Sequence, residues 1–271
     1  MEPEKARGIV LRTYPYSETS CIATVFTREF GKLRALAKGA WRPKNAFDSA
    51  LDLLSTCQVL VLLRSSGGLD LLTEATLERR FRVGRSLAGF YGGMYLADLL
   101  DALTADADPQ PEMFDAVETA LIALAADPAA ADPRPAETPA VPLPVVVLAA
   151  ELALLQAGGH GPAVGRCSGC GTRLDPAARA AFGMLDGGAL CPRCRHGKHS
   201  VVAISTAGTA ALRAAAALAV GRSGGAVPTE ERVLGELRAV MNTFVAHTLG
   251  RRLKTAKHLK LLPRTNTYEP T

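Results

Sequence analysis

The order of apolar and polar positions changes character along the chain. Up to residue 80 it is short and alternating. Ile9-Val10-Leu11 opens a strand, and Ser20–Thr27 is β-branched and partly alternating. Glu29-Phe30-Gly31-Lys32 predicts a turn with Gly31 in the left-handed region. From Lys32 to Lys38 a two-residue period places Lys32, Arg34, Leu36 and Lys38 on one face and Leu33, Ala35 and Ala37 on the other. Thr56–Leu63 reads as another strand, Ser65-Ser66-Gly67-Gly68 as a hairpin and Leu69–Leu77 as its return. Five strands in so short a stretch fit a small closed barrel.

After residue 80 the period lengthens to that of helices. Val83–Leu103 carries Leu87, Phe90, Met94, Leu96, Leu99, Leu100 and Leu103 at spacings of three and four. Gly89, Gly92 and Gly93 weaken it as an isolated helix and mark close packing. Met113–Ala126 and Val145–Gln156 read as two more helices. Between them Pro128, Pro133, Pro135, Pro139, Pro142 and Pro144 make an exposed connector. Residues 158–200 read as loop-rich, with Gly158-Gly159-His160-Gly161 as a hinge. Thr206–Val220 is an Ala-rich helix. A long helix begins at Pro228-Thr229-Glu230-Glu231, with Val233, Leu234, Leu237, Val240, Met241, Phe244, Val245 and Leu249 in one stripe. The expected organisation is α+β: a barrel at 1–80, a helical part at 81–166, an insertion at 167–200 and a second helical part at 201–271.

No uninterrupted apolar run is long enough to cross a membrane, and the polar start, Met1-Glu2-Pro3-Glu4-Lys5, does not suggest a secretion signal. A cytoplasmic protein is expected. Charge is segregated: residues 1–80 carry a net +3, residues 81–166 a net −7 and residues 167–271 a net +9. Two physical readings stand at this point. The basic ends face a polyanion, nucleic acid first, or they pair with the acidic middle inside the fold.

Six cysteines divide into two kinds. Cys21 and Cys57 fall in expected strands and read as buried free thiols. Cys167-Ser-Gly-Cys170 and Cys191-Pro-Arg-Cys194 are two C-x-x-C pairs, the spacing of a zinc knuckle or ribbon. Each pair on a tight turn aims two sulfurs at one ion, and Gly169, Gly171 and Pro192 suit such turns. Four thiolates close a tetrahedron, so the expected zinc is structural. A redox role fits poorly, since a redox C-x-x-C occurs singly beside a βαβ pattern. Disulfides do not suit a chain expected in the cytoplasm. His196 and His199 read as exposed neighbours, available as substitute ligands.

The chain has no P-loop and no H-E-x-x-H, and nothing in it argues for an enzyme. Its chemistry lies in basic clusters. Arg28, Lys32, Arg34, Lys38, Arg42 and Lys44 crowd one strand and loop with a single acid, Glu29, and the sole Trp, Trp41, sits among them. Cations that neutralise phosphates beside a ring that stacks on a base are what single-stranded nucleic-acid binding uses. Arg251, Arg252, Lys254, Lys257, Lys260 and Arg264 form a second cluster with no acid. If the long helix continues past Gly250, Arg251, Lys254 and His258 share one face.

Local segments carry a likeness. Gly8-Ile-Val-Leu-Arg12, Tyr16-Ser-Glu18, Val25-Phe-Thr27, Phe30-Gly-Lys32 and Ala37-Lys-Gly-Ala-Trp-Arg42 resemble the opening strands of the RecO family of bacterial recombination mediators. Phe182, Gly187-Gly188-Ala-Leu-Cys191 and His247-Thr-Leu-Gly-Arg-Arg-Leu-Lys254 resemble that family's second Cys pair and closing helix. The resemblance implies an OB-fold barrel followed by a helical domain with zinc. It also implies a DNA-binding, strand-annealing protein that is not an enzyme. Such a protein acts with RecR and single-stranded-DNA-binding protein to load RecA on gaps. The candidate DNA-binding residues are Lys32, Arg34, Lys38, Trp41, Arg42, Lys44, Arg251, Arg252 and Lys254, with both single- and double-stranded DNA as partners. The metal ligands are Cys167, Cys170, Cys191 and Cys194. The acidic tail of single-stranded-DNA-binding protein is expected on the helical surface near Arg82, Arg85 or a C-terminal Arg. An RNA-binding or ribosome-associated zinc-ribbon protein is the rival binding class, and a nuclease with scattered acidic ligands the enzymatic one.

Overall fold

The computed structural model describes residues 2–47, 49–64, 68–84, 86–125, 141–175, 180–222, 227 and 229–261, with the side chains of residues 260 and 261 left aside. Pro128, Pro133, Pro135, Pro139, Arg85, Arg264 and the tip of the hairpin at residues 65–67 lie outside the described residues.

The alternating segments form β1 (Glu4–Pro15), β2 (Cys21–Thr27), β3 (Gly31–Ala37), β4 (Thr56–Leu62) and β5 (Asp70–Arg79). They close into a barrel in the order β1-β2-β3-β5-β4, with β3 and β5 parallel and the other neighbours antiparallel. This is a five-stranded barrel of the OB type. Its interior holds Val10, Cys21, Leu33, Ala35, Ala37, Cys57, Val59, Val61, Leu72 and Ala75. Both expected buried thiols are there, and burial pushes the Cys57 thiol up to about 12. Gly31 takes φ 71°, as its turn requires.

β1 is 12 residues long, far longer than the expected Ile9-Val10-Leu11. The reason is that it serves two cores. Alternation turns Val10 into the barrel and Ile9 and Leu11 towards Phe26 in the helical core, and a bulge between Val10 and Arg12 then sets Arg12 opposite Thr24 on the outward face. An uninterrupted apolar triplet is what burial on both faces requires.

That helical core is built by α1 (Leu87–Leu103), α2 (Pro111–Ala125), α3 (Leu143–Ala157), α4 (Thr206–Ala219) and α5 (Glu231–Thr248). Ser86 caps α1 by accepting from the Gly89 N–H at 3.0 Å. The glycines of α1 are packing glycines: a Cβ on Gly92 would meet Val147 at 2.9 Å, and one on Gly93 would meet Phe81 at 2.7 Å. A buried polar triad links three helices. Tyr95 of α1 donates to Glu151 of α3, and Arg238 of α5 donates to both Glu151 oxygens at 2.7 and 2.9 Å. No helix among the described residues is long and apolar enough to cross a membrane.

Two features here go beyond the sequence reading. The loop-rich stretch 158–200 holds β6 (Ala180–Gly183) and β7 (Gly188–Leu190), which with β8 (Val201–Ile204) form a small sheet in the order β7-β6-β8. Strands of three or four residues are too short for their periodicity to register. The long helix does not continue past Gly250. α5 ends at Thr248, Gly250 takes φ 66°, and a 3₁₀ turn (Thr255–Leu261) follows. A left-handed glycine is a helix stop. Arg251, Lys254 and His258 are therefore not on one face of α5.

Candidate nucleic-acid interface and metal centre

The outward face of β1, β2 and β3 is laid out in cross-strand rows. Register gives Ile9–Phe26–Lys32, then Arg12–Thr24–Arg34, then Tyr14–Ile22–Leu36. The first row is covered by the helical core. The α1–α2 connection runs along β3: Ala107 N–H donates to the Lys32 carbonyl at 2.9 Å. A Cβ on Gly31 would lie 2.1 Å from the Asp108 carbonyl oxygen, so this approach needs glycine.

This seam consumes half of the first basic cluster, Arg28, Lys32 and Arg34. The Lys32 side chain is only 6% exposed. Its ammonium donates to the Asp101 and Thr104 carbonyls, both at 2.8 Å, and to Asp101 Oδ1 at 3.0 Å. All three protons are used, and the expectation that Lys32 offers its charge to phosphate does not hold. Arg34 pairs with Asp106 at 3.3 Å and Arg12 with Asp101 at 3.6 Å. Arg28 grips Asp115 at 2.8 and 3.0 Å. Arg7 reaches Glu78 at 2.7 Å and takes both oxygens of Glu118 at 2.5 and 2.8 Å. The hydrogen bond to Arg28 holds the Asp115 carboxyl below its ordinary range. Burial raises Glu78, but hydrogen bonds from Arg7 and Gln58 outweigh it and the carboxyl falls. For these residues the acidic middle is the internal partner of the basic barrel.

Beyond the third row the cations are free. Lys38, Arg42 and Lys44 are exposed, and among the described residues no carboxylate pairs with them. Trp41, 48% exposed, stands beside Arg42. Its N–H donates to the Thr19 carbonyl at 3.0 Å, and the Gly39 N–H donates to Ser20 Oγ at 3.1 Å, so the loop after β3 is tied to the β1–β2 turn. Sequence reasoning missed two aromatics there, Tyr14 and Tyr16, which are 51% and 61% exposed. A lone tyrosine at a strand end gives no signal of its own. Arg251, Arg252 and Lys254 are exposed in the segment after α5, also without a carboxylate among the described residues. That segment is anchored by buried Leu253 and Leu259, by His258 stacked on Tyr91 at 4.4 Å, and by Thr255 donating to Asp98 at 2.9 Å.

The metal centre is local. Cys167, Cys170, Cys191 and Cys194 bring their sulfurs within 4.8 Å of one another; His196 and His199 stay outside the group. Each pair sits on a turn of helical hydrogen bonding: Gly171 N–H donates to the Cys167 carbonyl at 2.8 Å, and Arg195 N–H to the Cys191 carbonyl at 3.0 Å. Gly171 has φ 72°. Gly169 leaves room for the second pair, since a Cβ there would lie 3.3 Å from Cys194 Sγ. Four sulfurs about 2.3 Å from one ion stand about 3.8 Å apart at tetrahedral angles, and the Cys170–Cys191 separation is 3.9 Å.

The acidities suit a cation too. A hydrogen bond with Thr172 lowers the Cys170 thiol to about 6. Hydrogen bonds with Cys170 and Cys191 push the Cys194 thiol up to about 12. The bare cluster thus keeps a proton that a metal ion would displace. These four residues could hold one metal ion.

A family model described as recombination protein O N terminal matches residues 1–81, and one described as recombination protein O C terminal matches residues 85–257. A relative from Rhodopirellula baltica, named DNA repair protein RecO, is 37% identical over 208 residues, covering 76% of this chain and 72% of its own. Another of that name, from Myxococcus xanthus, is 32% identical over 256 residues, covering 94% and 96%. A third, from Syntrophus aciditrophicus, is 26% identical over 269 residues, covering 96% of each.

Proposed function

Because this chain belongs to the recombination protein O family, we propose that it is a DNA-repair mediator that works by binding rather than by catalysis. It anneals complementary single strands and helps RecA load on gaps coated with single-stranded-DNA-binding protein, acting with RecR. The observation that carries the reading is the free cationic rim of the barrel. Lys38, Arg42 and Lys44 meet no carboxylate among the described residues and stand beside an exposed Trp41, while Lys32 and Arg34 behind them are paired internally. An OB-type barrel binds nucleic acid on the strand 2–3 face and flanking loops, and the rim is the part of that face left open. Annealing needs only surfaces that lower repulsion between two phosphate chains. Arg251, Arg252 and Lys254 supply a second such surface, and Arg34, held by Asp106, lies at the edge of the first. Cys167, Cys170, Cys191 and Cys194 hold one structural zinc. The acidic tail of single-stranded-DNA-binding protein docks on the helical surface near Arg82 or a C-terminal Arg.

Affinity for single-stranded DNA, measured across salt concentrations, tests the contact. Replacing Arg42 and Lys44 by Ala should reduce the slope of log K against log salt by about 1.4, at roughly 0.7 per phosphate contact. An unchanged slope would move the DNA to Arg251, Arg252 and Lys254. Annealing of complementary strands coated with single-stranded-DNA-binding protein, without ATP, tests the activity. Equal annealing of RNA strands would favour the RNA-binding class instead.

A further inference from the structure

Three exposed aromatic residues stand at one rim of the barrel, at the end of β1 and on the two connected loops beside it. Tyr14 closes β1, and Tyr16 stands in a turn held by Tyr16 and Ser17 N–H groups donating to the Ser20 carbonyl at 2.9 and 3.1 Å. Trp41 is fastened to the same turn through Thr19. Half or nearly half of each ring's residue faces solvent, at 51%, 61% and 48%. Below them the register lines up Tyr14, Ile22, Leu36 and Leu71 across four strands. Three strand spacings make that row roughly 14 Å wide. Ile22, Leu36 and Leu71 are half-buried, so Tyr14 ends an apolar row that runs across the sheet.

The ring of Tyr14 is held in place. Arg12 lies 5.7 Å from its centre and donates to its hydroxyl at 3.1 Å, while Arg12 also pairs with Asp101. One face of Tyr14 is thus braced by a guanidinium. One turn away on α1, Asp98 binds Thr255, which brings the start of the C-terminal basic segment to the flank of the barrel that carries Arg12. Lys38, Arg42 and Lys44, which meet no described carboxylate, follow Trp41 and the end of β3, and the C-terminal basic segment is anchored one turn along α1 from the aspartate that holds Arg12.

From this juxtaposition we propose that Tyr14, Tyr16 and Trp41 form a base-stacking platform that makes the site select single-stranded over duplex DNA. The inference rests on the nucleic-acid reading above and adds strand selectivity to it. Phosphates are common to both forms, so the cations cannot tell them apart. Base faces are not common: a duplex keeps them stacked internally, while an unpaired strand can lay them on protein rings. Exposed rings next to cations and to an apolar row match an unpaired strand.

The test compares the full chain with three sets of variants, using an oligothymidylate and a mixed-sequence duplex of equal length at several salt concentrations. Tyr16→Leu and Trp41→Leu should each weaken single-strand binding about fivefold or more, leave duplex binding nearly unchanged and leave the salt slope unchanged. Tyr16→Phe, which keeps the ring, should restore most of the single-strand binding that Tyr16→Leu loses. In the unaltered chain the single Trp should be quenched by the oligothymidylate and not by the duplex. Leu variants that melt normally and lose both strands equally, or lose neither, overturn the platform. So does a Trp signal that the two DNAs change alike. Lys38→Ala with Arg42→Ala separates the two levels of argument. Loss of both DNAs in that variant, with normal binding by the Leu variants, removes the platform and leaves the nucleic-acid reading standing. No loss in any set removes both.

Discussion

Lys32 shows what burial does to a residue whose sequence neighbours suggest a ligand contact. Its ammonium is desolvated, and three acceptors on α1 and the turn after it replace the lost water. Removing it leaves the Asp101 side chain and two carbonyls short of a donor. Lys32→Met should therefore destabilise the chain by about 3 kcal/mol, read from urea unfolding. The folded variant should keep the parent's salt slope for DNA. That pattern is the opposite of the one expected for Arg42 or Lys44, whose side chains contribute little to the fold. Cys170 and Cys194 make a similar contrast in acidity. Their sequence contexts are alike, C-x-x-C in both cases, yet Thr172 stabilises one thiolate, and the neighbouring thiols hold the proton on the other.

At the level of elements, the four-cysteine unit has a small apolar cluster of its own and is joined to the helices through Phe182, which packs edge-on against Phe244 of α5. Its sulfurs come from two turns, bridged by Cys191 N–H donating to Cys167 Sγ at 3.3 Å and backed by Ala181 and Leu190. That small apolar cluster is too slight to hold three short strands by itself. Cys191→Ser should abolish stoichiometric zinc and increase amide exchange across residues 160–200, while the barrel's unfolding midpoint stays put. Because a metal must displace the remaining thiol protons, zinc affinity should rise with pH and fall steeply as pH drops towards about 6, where Cys170 takes up its proton. Competition with a chelator at several pH values measures this. A metal-free preparation with four freely reactive thiols and an unchanged exchange pattern would contradict the zinc assignment.

For the whole molecule, the governing feature is an ionic seam laid over an apolar one. Ile9, Leu11 and Phe26 join barrel to helices by burial, and Arg7, Arg12, Arg28, Lys32 and Arg34 add the charge pairs. Asp115 and Glu78 both have folded carboxyls below their ordinary values of 3.8 and 4.5. Their contribution is complete above those values and is lost as pH falls through the lower folded ones. Asp115 is half-exposed, so solvent screens much of its share. Melting temperature should fall between about pH 5 and pH 3, more steeply than in an Arg7→Gln, Arg28→Gln double variant. Salt should lower it modestly at neutral pH. The apolar seam should keep the two parts associated throughout that range.

Periodicity and spacing, which are local, were enough to read the barrel strands and the metal ligands. Leu33, Ala35 and Ala37 alternate with Lys32, Arg34 and Lys38 because a strand turns successive side chains to opposite faces, and the inward set is in the barrel core. The cysteines were legible because two residues in one tight turn need no distant partner to converge. The sequence also left open whether the basic ends meet an outside polyanion or the acidic middle, and each cation answers separately. Lys32 meets Asp101 across 69 residues and Arg7 meets Glu118 across 111. Lys38, Arg42 and Lys44 meet no described carboxylate. No spacing rule reaches that far, because such pairs form only after the apolar faces have docked and fixed which charges are left facing one another. The end of α5 and the exposed tyrosines belong with the tertiary decisions. Both depend on where the chain must turn to cover Leu253 and Leu259, and on which rim of the barrel the helices leave uncovered.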